Sequence, residues 1–339
     1  MLYIRRKSFP LRPFYTNTAV VVWGVLMAYH IINTYLTGNT EGMVSQNIVS
    51  STIVSILLMI LCAYLYSEDK VRLYWTLIIA FFYYLIIAYN FNEMHESGRL
   101  SGFLYTTQLG QLSGITCLVI SMLIYATKKN IYSVLYVFPI FMMFLAGSRN
   151  GLAVVFFALI ALAIPFLVKD RRMLLVVLVI GFILVNYLQD SLVWERRDNQ
   201  DGMNIETGTI FDTLLGDRIF YYVVGWQNFL DNPISGIGLL NFMDYNHYEY
   251  PLHTEPMTHL AEGGLIGASL YICFKWYFIK SFIRNFDLRN GYMLQCMVAF
   301  CTILIVGLSA RIFHYTFFFV IYGIIIGEFY SNNRKQHII

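Results

Sequence analysis

Residues 44–66 read VSQNIVSSTIVSILLMILCAYLY, a run of 23 residues without a charged side chain. As a helix it would be about 35 Å long, enough to cross a hydrocarbon core of about 30 Å. Nine further apolar runs lie around it, at roughly 16–36, 73–91, 104–126, 131–147, 151–168, 173–189, 256–280, 291–309 and 312–330. These runs are too long for barrel strands, and a bilayer offers backbone groups no partners, so they predict helices. Composition agrees: of 339 residues, 58% are hydrophobic and 13% charged, with a mean hydropathy of +0.60. A soluble domain carries nearly twice that charge. The expectation is an all-α polytopic integral membrane protein of about 10 transmembrane helices, forming a single transmembrane domain over residues 1–339.

The basic residues suggest how such spans are threaded. If ten spans alternate, 17 of the 23 Lys and Arg residues fall on one side. They include Arg5, Arg6 and Lys7, Lys70 and Arg72, Lys128 and Lys129, Lys169, Arg171 and Arg172, Lys275, Lys280 and Arg284, and Arg334 and Lys335. The positive-inside rule then puts both termini in the cytoplasm. No small-residue cleavage site follows the first apolar run, so a cleaved signal peptide is not expected. The five cysteines all sit in apolar runs without CxxC spacing and read as packing residues, as do the small-residue pairs Gly110/Gly114, Gly263/Gly267 and Gly323/Gly327.

The same threading leaves residues 190–255 as an extracytoplasmic loop between spans 7 and 8, with 11 acids and three arginines. Loops this long are functional or disordered. Within it Ile219, Phe220, Val223, Val224, Trp226 and Phe229 recur at helical spacing after Asp217, a candidate N-cap. They predict an amphipathic helix lying on the membrane surface, apolar face down. An Asn-Pro-x-x-Gly-x-Gly turn follows, with Asn232, Gly236 and Gly238 as candidates for substrate contact.

Arg149, Arg218 and Arg311 fall on the side where basic residues are few, each near a membrane boundary. Arginine there needs an anionic partner, and its planar fork grips phosphate bidentately. Three of them predict a site for a lipid-linked phosphate or diphosphate; the alternative is pairing with headgroups or loop acids. His253 precedes Pro256, at the start of the eighth predicted span. A helix N-terminus favours the neutral imidazole, which can take a proton from a hydroxyl; the alternative is an interfacial histidine bound to the acidic loop. His259 and Glu262 follow in the first two turns of that span, sharing a face with Glu255, and read either as substrate contacts or as a helix–helix polar contact. His95 and His314 are weaker candidates. There is no Asp-x-Asp, Walker, His-Glu-x-x-His or Gly-x-Ser-x-Gly motif. The transferred group therefore arrives already activated, and neither a cofactor nor a catalytic metal is indicated.

At this point the residues resemble a family. The run Arg218–Asn241, with Trp-x-x-Phe and Asn-Pro-x-x-Gly-x-Gly, is similar to the core of the O-antigen ligase and polymerase (Wzy-type) family. The run His253–Gly267 resembles its His…Glu-x-Gly-x-x-Gly element, with His253, Glu262, Gly264 and Gly267 on the matching positions. Gly-Ser-Arg-Asn-Gly at 147–151 is similar to its turn between two spans. Two departures stand out: Thr254 replaces the usual Asn after the histidine, and Pro256 stands where an aromatic is common.

The resemblance implies a GT-C-like membrane glycosyltransferase in the bacterial cytoplasmic membrane, making capsule, exopolysaccharide or O-antigen. It implies metal-independent, inverting transfer of a glycan from undecaprenyl diphosphate to the next lipid-linked repeat unit. Arg149 and Arg218 would hold the diphosphate and His253 would serve as base; Arg311 is added from topology. The implied partners are the undecaprenyl-diphosphate-linked glycan, membrane lipid and a chain-length regulator, with no nucleic acid. The rivals are a ligase to another acceptor, a flippase for lipid-linked units, and a non-catalytic scaffold. A flippase needs cations through a central cavity, whereas the candidates here cluster on one side.

Overall fold

A computed structural model describes residues 12–38, 47–94, 100–101, 106–169, 218–245, 252–287, 290–310 and 315–336. A single turn, Arg12–Tyr15, precedes the first long helix. The long helices are α1 (Thr18–Thr37), α2 (Ile48–Phe91), α3 (Thr106–Thr127), α4 (Val137–Ala146, entered by a 3₁₀ stretch, Asn130–Tyr136) and α5 (Arg149–Lys169). They continue as α6 (Arg218–Asp231), α7 (Gly264–Arg284), α8 (Gly291–Ser309) and α9 (Thr316–Gln336). Two-residue strands β1 (Glu93–Met94) and β2 (Leu100–Ser101) pair antiparallel beyond α2. Thr18–Thr37, Ile48–Phe91, Thr106–Thr127 and Gly291–Leu308 are long and apolar enough to cross a bilayer. The architecture is that of an all-α polytopic membrane protein.

α2 covers two predicted spans. Its 44 residues would reach about 66 Å, twice a bilayer core. The helix is interrupted within Glu68-Asp69-Lys70, where Asp69 is extended at φ −154° and ψ 93°. The Asp69 carboxylate accepts from the Arg72 amide at 3.0 Å, capping the second half. Predicted spans 44–66 and 73–91 are thus two helical stretches joined by one residue. The run at 173–189 lies outside the described residues.

The small-residue pairs are where helices touch. A Cβ on Gly110 or Gly114 would enter Ser148 or Val154 of the α5 side, and one on Gly323 or Gly327 would meet Met59–Tyr66 of α2. These contacts also fix direction. Residues 110, 114 and 121 of α3 meet 148, 154 and 158 in step, so α3 and α5 run parallel. α9 runs parallel to the first half of α2, its Glu328 accepting from the Tyr66 hydroxyl at 2.7 Å. α1 runs against α7: Asn17 meets Tyr277, Trp23 meets Phe274 and Tyr29 meets Gly263. These are the senses that alternating crossings require.

One end of the bundle gathers lysines and tyrosines, with Lys70 over the Tyr292 ring at 3.2 Å and Lys128 over Tyr125 at 3.8 Å. Lys275, assigned from its charge to a loop at that end, is instead buried in the middle of α7. All five cysteines are free thiols; Cys62, Cys117 and Cys296 are buried within the bundle.

Candidate functional site at the far end of the bundle

The site is built on a break that the sequence reading ran through. Predicted span 256–280 is not one helix. Thr254, extended at φ −128° and ψ 131°, caps a short turn by accepting from the Met257 amide at 3.2 Å. Three residues, Glu255–Met257, are α-helical, Thr258–Glu262 form a π turn, and at Gly263 and Gly264, where α7 begins, the chain doubles back so that Glu255 meets Lys275 and His259 meets Tyr271. Gly264 has φ +61° and its α-carbon lies against Ile234, so only glycine fits there without strain. Glu255, His259 and Glu262 therefore do not line one face of a single α-helix; the widened turn and the reversal send them to different partners.

The Asn-Pro-x-x-Gly-x-Gly stretch fastens this break. Ile237 and Gly238 donate their amides to the carbonyls of Ala261 and Glu262 at 3.1 and 3.0 Å. In return Pro233 and Ile234 accept from the Leu265 and Ile266 amides at 2.8 and 3.3 Å. The first N–H groups of a helix have no partner within it, and here the turn supplies them. Gly236, at φ +71°, lies so close to Ala261 and Glu262 that a Cβ would come within 2.6 Å of the Ala261 carbonyl oxygen. Gly238 is likewise pressed against Thr37 and Asn241. The geometry thus gives both glycines a fastening role, and Asn232 takes part by accepting from the Gly236 amide at 2.9 Å.

α6 lies across the segment. The predicted helix is present: Tyr221, Asn228 and Phe229 are buried against the protein, while Val223 and Trp226 are exposed on its other side. Gly225 explains the choice of face, since Met257 fills the space a side chain would take, at 3.1 Å from a built Cβ. Asp217, the candidate cap, lies outside the described residues. The Tyr222 hydroxyl donates to the Leu308 carbonyl at 2.8 Å, tying α6 to the end of α8.

His253 is half-buried just ahead of the Thr254 cap, its ring edge-on to Tyr221 at 5.2 Å. Arg218 opens α6 three residues before Tyr221, about 4.5 Å along the helix axis. The two segments that carry the candidate base and one candidate arginine are therefore side by side. Arg149 opens α5. α8 starts beside the C-terminal end of α3, Gly291 and Tyr292 against Tyr125, and α3 runs parallel to α5; α8 therefore runs back along α5, with Gln295 donating to the Ala161 carbonyl at 3.2 Å, and its Leu308 end lies toward the start of α5. Both helix starts thus lie at the same end of the bundle. Arg311, His95 and His314 are outside the described residues.

His259 and Glu262, read as substrate contacts, are fully buried. His259 Nδ1 lies 2.9 Å from Nε2 of His30, also fully buried, and its ring stacks on Tyr271 at 4.5 Å. His30 belongs to a polar stripe on α1 that the sequence reading missed. The Tyr29 hydroxyl donates to the Gly263 carbonyl at 2.8 Å, the Asn33 amide to Ser235 at 2.7 Å, and the Thr34 hydroxyl oxygen accepts from the Leu239 amide at 2.8 Å. The signal was available: positions 29, 30, 33, 34 and 37 share one helical face within an apolar run. A buried ion pair, Glu255 with Lys275 at 3.4 Å, completes the scaffold. Among the described residues no group of three or more His, Cys, Asp or Glu side chains has the arrangement of a metal site.

Residues 134–272 match the family model described as O-antigen ligase, which supports an O-antigen ligase/polymerase-type family. The matched region contains Arg149, Arg218, the Asn-Pro turn, His253, His259 and Glu262, and ends before Arg311. No curated protein matches the chain.

Proposed function

We propose that the protein is a polymerase of lipid-linked glycans, moving a glycan from undecaprenyl diphosphate to the next lipid-linked repeat unit at one membrane face. The observation that carries the reading is the approach of His253 to Tyr221, which brings the histidine motif beside the helix that Arg218 opens. The match of 134–272 to a family described as O-antigen ligase gives the reaction class.

In this reading the acceptor hydroxyl gives its proton to the neutral His253 imidazole as its oxygen attacks the anomeric carbon. The bond from that carbon to the diphosphate oxygen breaks, inverting the centre, and the departing lipid diphosphate carries the negative charge. Arg218 and Arg149 meet that charge, which a fixed cation stabilises best in a poorly solvated site. The acidic loop, 190–255, faces the compartment where the acceptor arrives, and both termini lie in the cytoplasm.

The family description also favours a second reading, transfer of a finished glycan to a different acceptor. Protein purified into lipid vesicles, given undecaprenyl-diphosphate repeat units together with a second, diphosphate-free lipid acceptor, separates the two. A ladder of repeat units supports the polymerase; a single transfer to the second acceptor supports the ligase. Movement of intact lipid-linked units across the bilayer with no new glycosidic bond sinks both.

A further inference from the structure

The chemistry above uses neither Glu255 nor Lys275. Both are buried, 2% and 6% exposed, and their charged atoms are 3.4 Å apart. Lys275 also donates to the Tyr322 hydroxyl of α9, and its ammonium lies 5.0 Å from the Tyr271 ring centroid. Tyr271 donates its hydroxyl to the same Glu255 oxygen at 3.3 Å, and its ring carries His259. The start of the bent segment is thus held to α7 and α9 through one carboxylate. Well-packed apolar side chains hold two helices together as well as a buried ion pair does or better. What the pair adds is direction, because a carboxylate ringed by one ammonium and one phenol has a single place to sit. Only Thr254, in an extended conformation, stands between Glu255 and His253, and Tyr221 meets the His253 ring from α6.

We propose that Glu255 and Lys275 are positioning residues of the transfer site, fixing the start of the bent segment so that the His253 ring is held against Tyr221 in reach of the acceptor hydroxyl. The inference rests on the transferase reading of the previous section. Small displacements of a reacting group are costly; a shift of about 1 Å can cost roughly 100-fold in rate.

Lys275→Met alone would leave a buried carboxylate without its partner and is expected to fold poorly. The decisive variant is therefore Glu255→Gln with Lys275→Met, which removes both charges, keeps an acceptor for the Tyr271 hydroxyl and fills the lysine stem. Two readouts are taken on the full-length protein in lipid. The first is kcat and KM for lipid-linked repeat units. The second is the rate of deuterium exchange at the imidazole carbon of His253, followed by mass spectrometry across pH, which needs no turnover. The double variant is expected to lose about tenfold or more in kcat, with KM within about twofold of the parent. Its His253 exchange profile is expected to shift, whereas Lys275→Arg alone, with Glu255 kept and the ion pair intact, is expected to retain most of both. A double variant with parental kcat and an unchanged His253 profile overturns the proposal, as does one that no longer purifies as a folded species. If the parent itself transfers no glycan, the transferase reading fails, and the exchange profile still decides whether the pair sets His253.

Discussion

His253, the proposed base, is partly exposed, at a capped chain turn, with its ring perpendicular to that of Tyr221. Its replacement by Ala is expected to lower the transfer rate by about 10² to 10⁴, the range for a lost general base. Arg218→Ala and Arg149→Ala are expected to cost roughly 10²-fold or more each, because they would stabilise charge on the leaving diphosphate. Steady-state kinetics on lipid-linked donor checks all three, whereas a non-catalytic scaffold shows no transfer even in the parent and tolerates alanine at Arg218 and His253. Gly264 makes a different kind of demand. Its left-handed backbone and its contact with Ile234 leave no room for a methyl group. Gly264→Ala is expected to lose about 1–3 kcal/mol of stability, seen as a lower thermal midpoint in detergent, and a midpoint unchanged within a degree contradicts the account of the break.

At the scale of elements, the legible and the hidden parts of the sequence divide along physical lines. Apolar runs announce helices, because a span must bury its whole surface in lipid or protein; α1, α2, α3 and α8 were legible for that reason. The glycine pairs were legible as packing seams because nothing else admits such close backbones. The break at Gly263 and Gly264 was hidden, since 256–280 is apolar enough on average to read as one span and its reversal depends on hydrogen bonds from a turn some thirty residues earlier. The side of α6 that packs against the protein was hidden too, because it is decided by the fit of Met257 over Gly225, which buries Tyr221 and Phe229.

The α1 stripe is the element on which the site leans. Thr34→Val keeps the shape but strands the buried Leu239 N–H, a loss of about 1–3 kcal/mol. Hydrogen exchange at residues 237–242 is expected to quicken in that variant while α3 and α5 stay protected; equal protection throughout would mean that the stripe does not hold the turn.

For the whole molecule, the contacts sort residues to two ends. Lys70, Lys128 and Tyr292 collect at one; Tyr29, Gly263, Tyr222 and Leu308 collect at the other. The proposed orientation rests on the charge count, in which Lys275, buried in α7, is one of seventeen residues. Lys129 and Asp244 are exposed at opposite ends. Lys129→Cys and Asp244→Cys, in a background without the five native cysteines, are expected to react with a membrane-impermeant maleimide from opposite sides of a sealed vesicle. Labelling of both from one side would break the threading, and with it the assignment of the site to the outer face.

The measurement that reaches the central claim most directly is elongation by the purified protein in lipid, given undecaprenyl-diphosphate repeat units, with His253→Ala and Arg218→Ala beside the parent. The account predicts a glycan ladder from the parent and none from either variant, all three folded with the same thermal midpoint. A ladder of parental length and rate from both variants would contradict it.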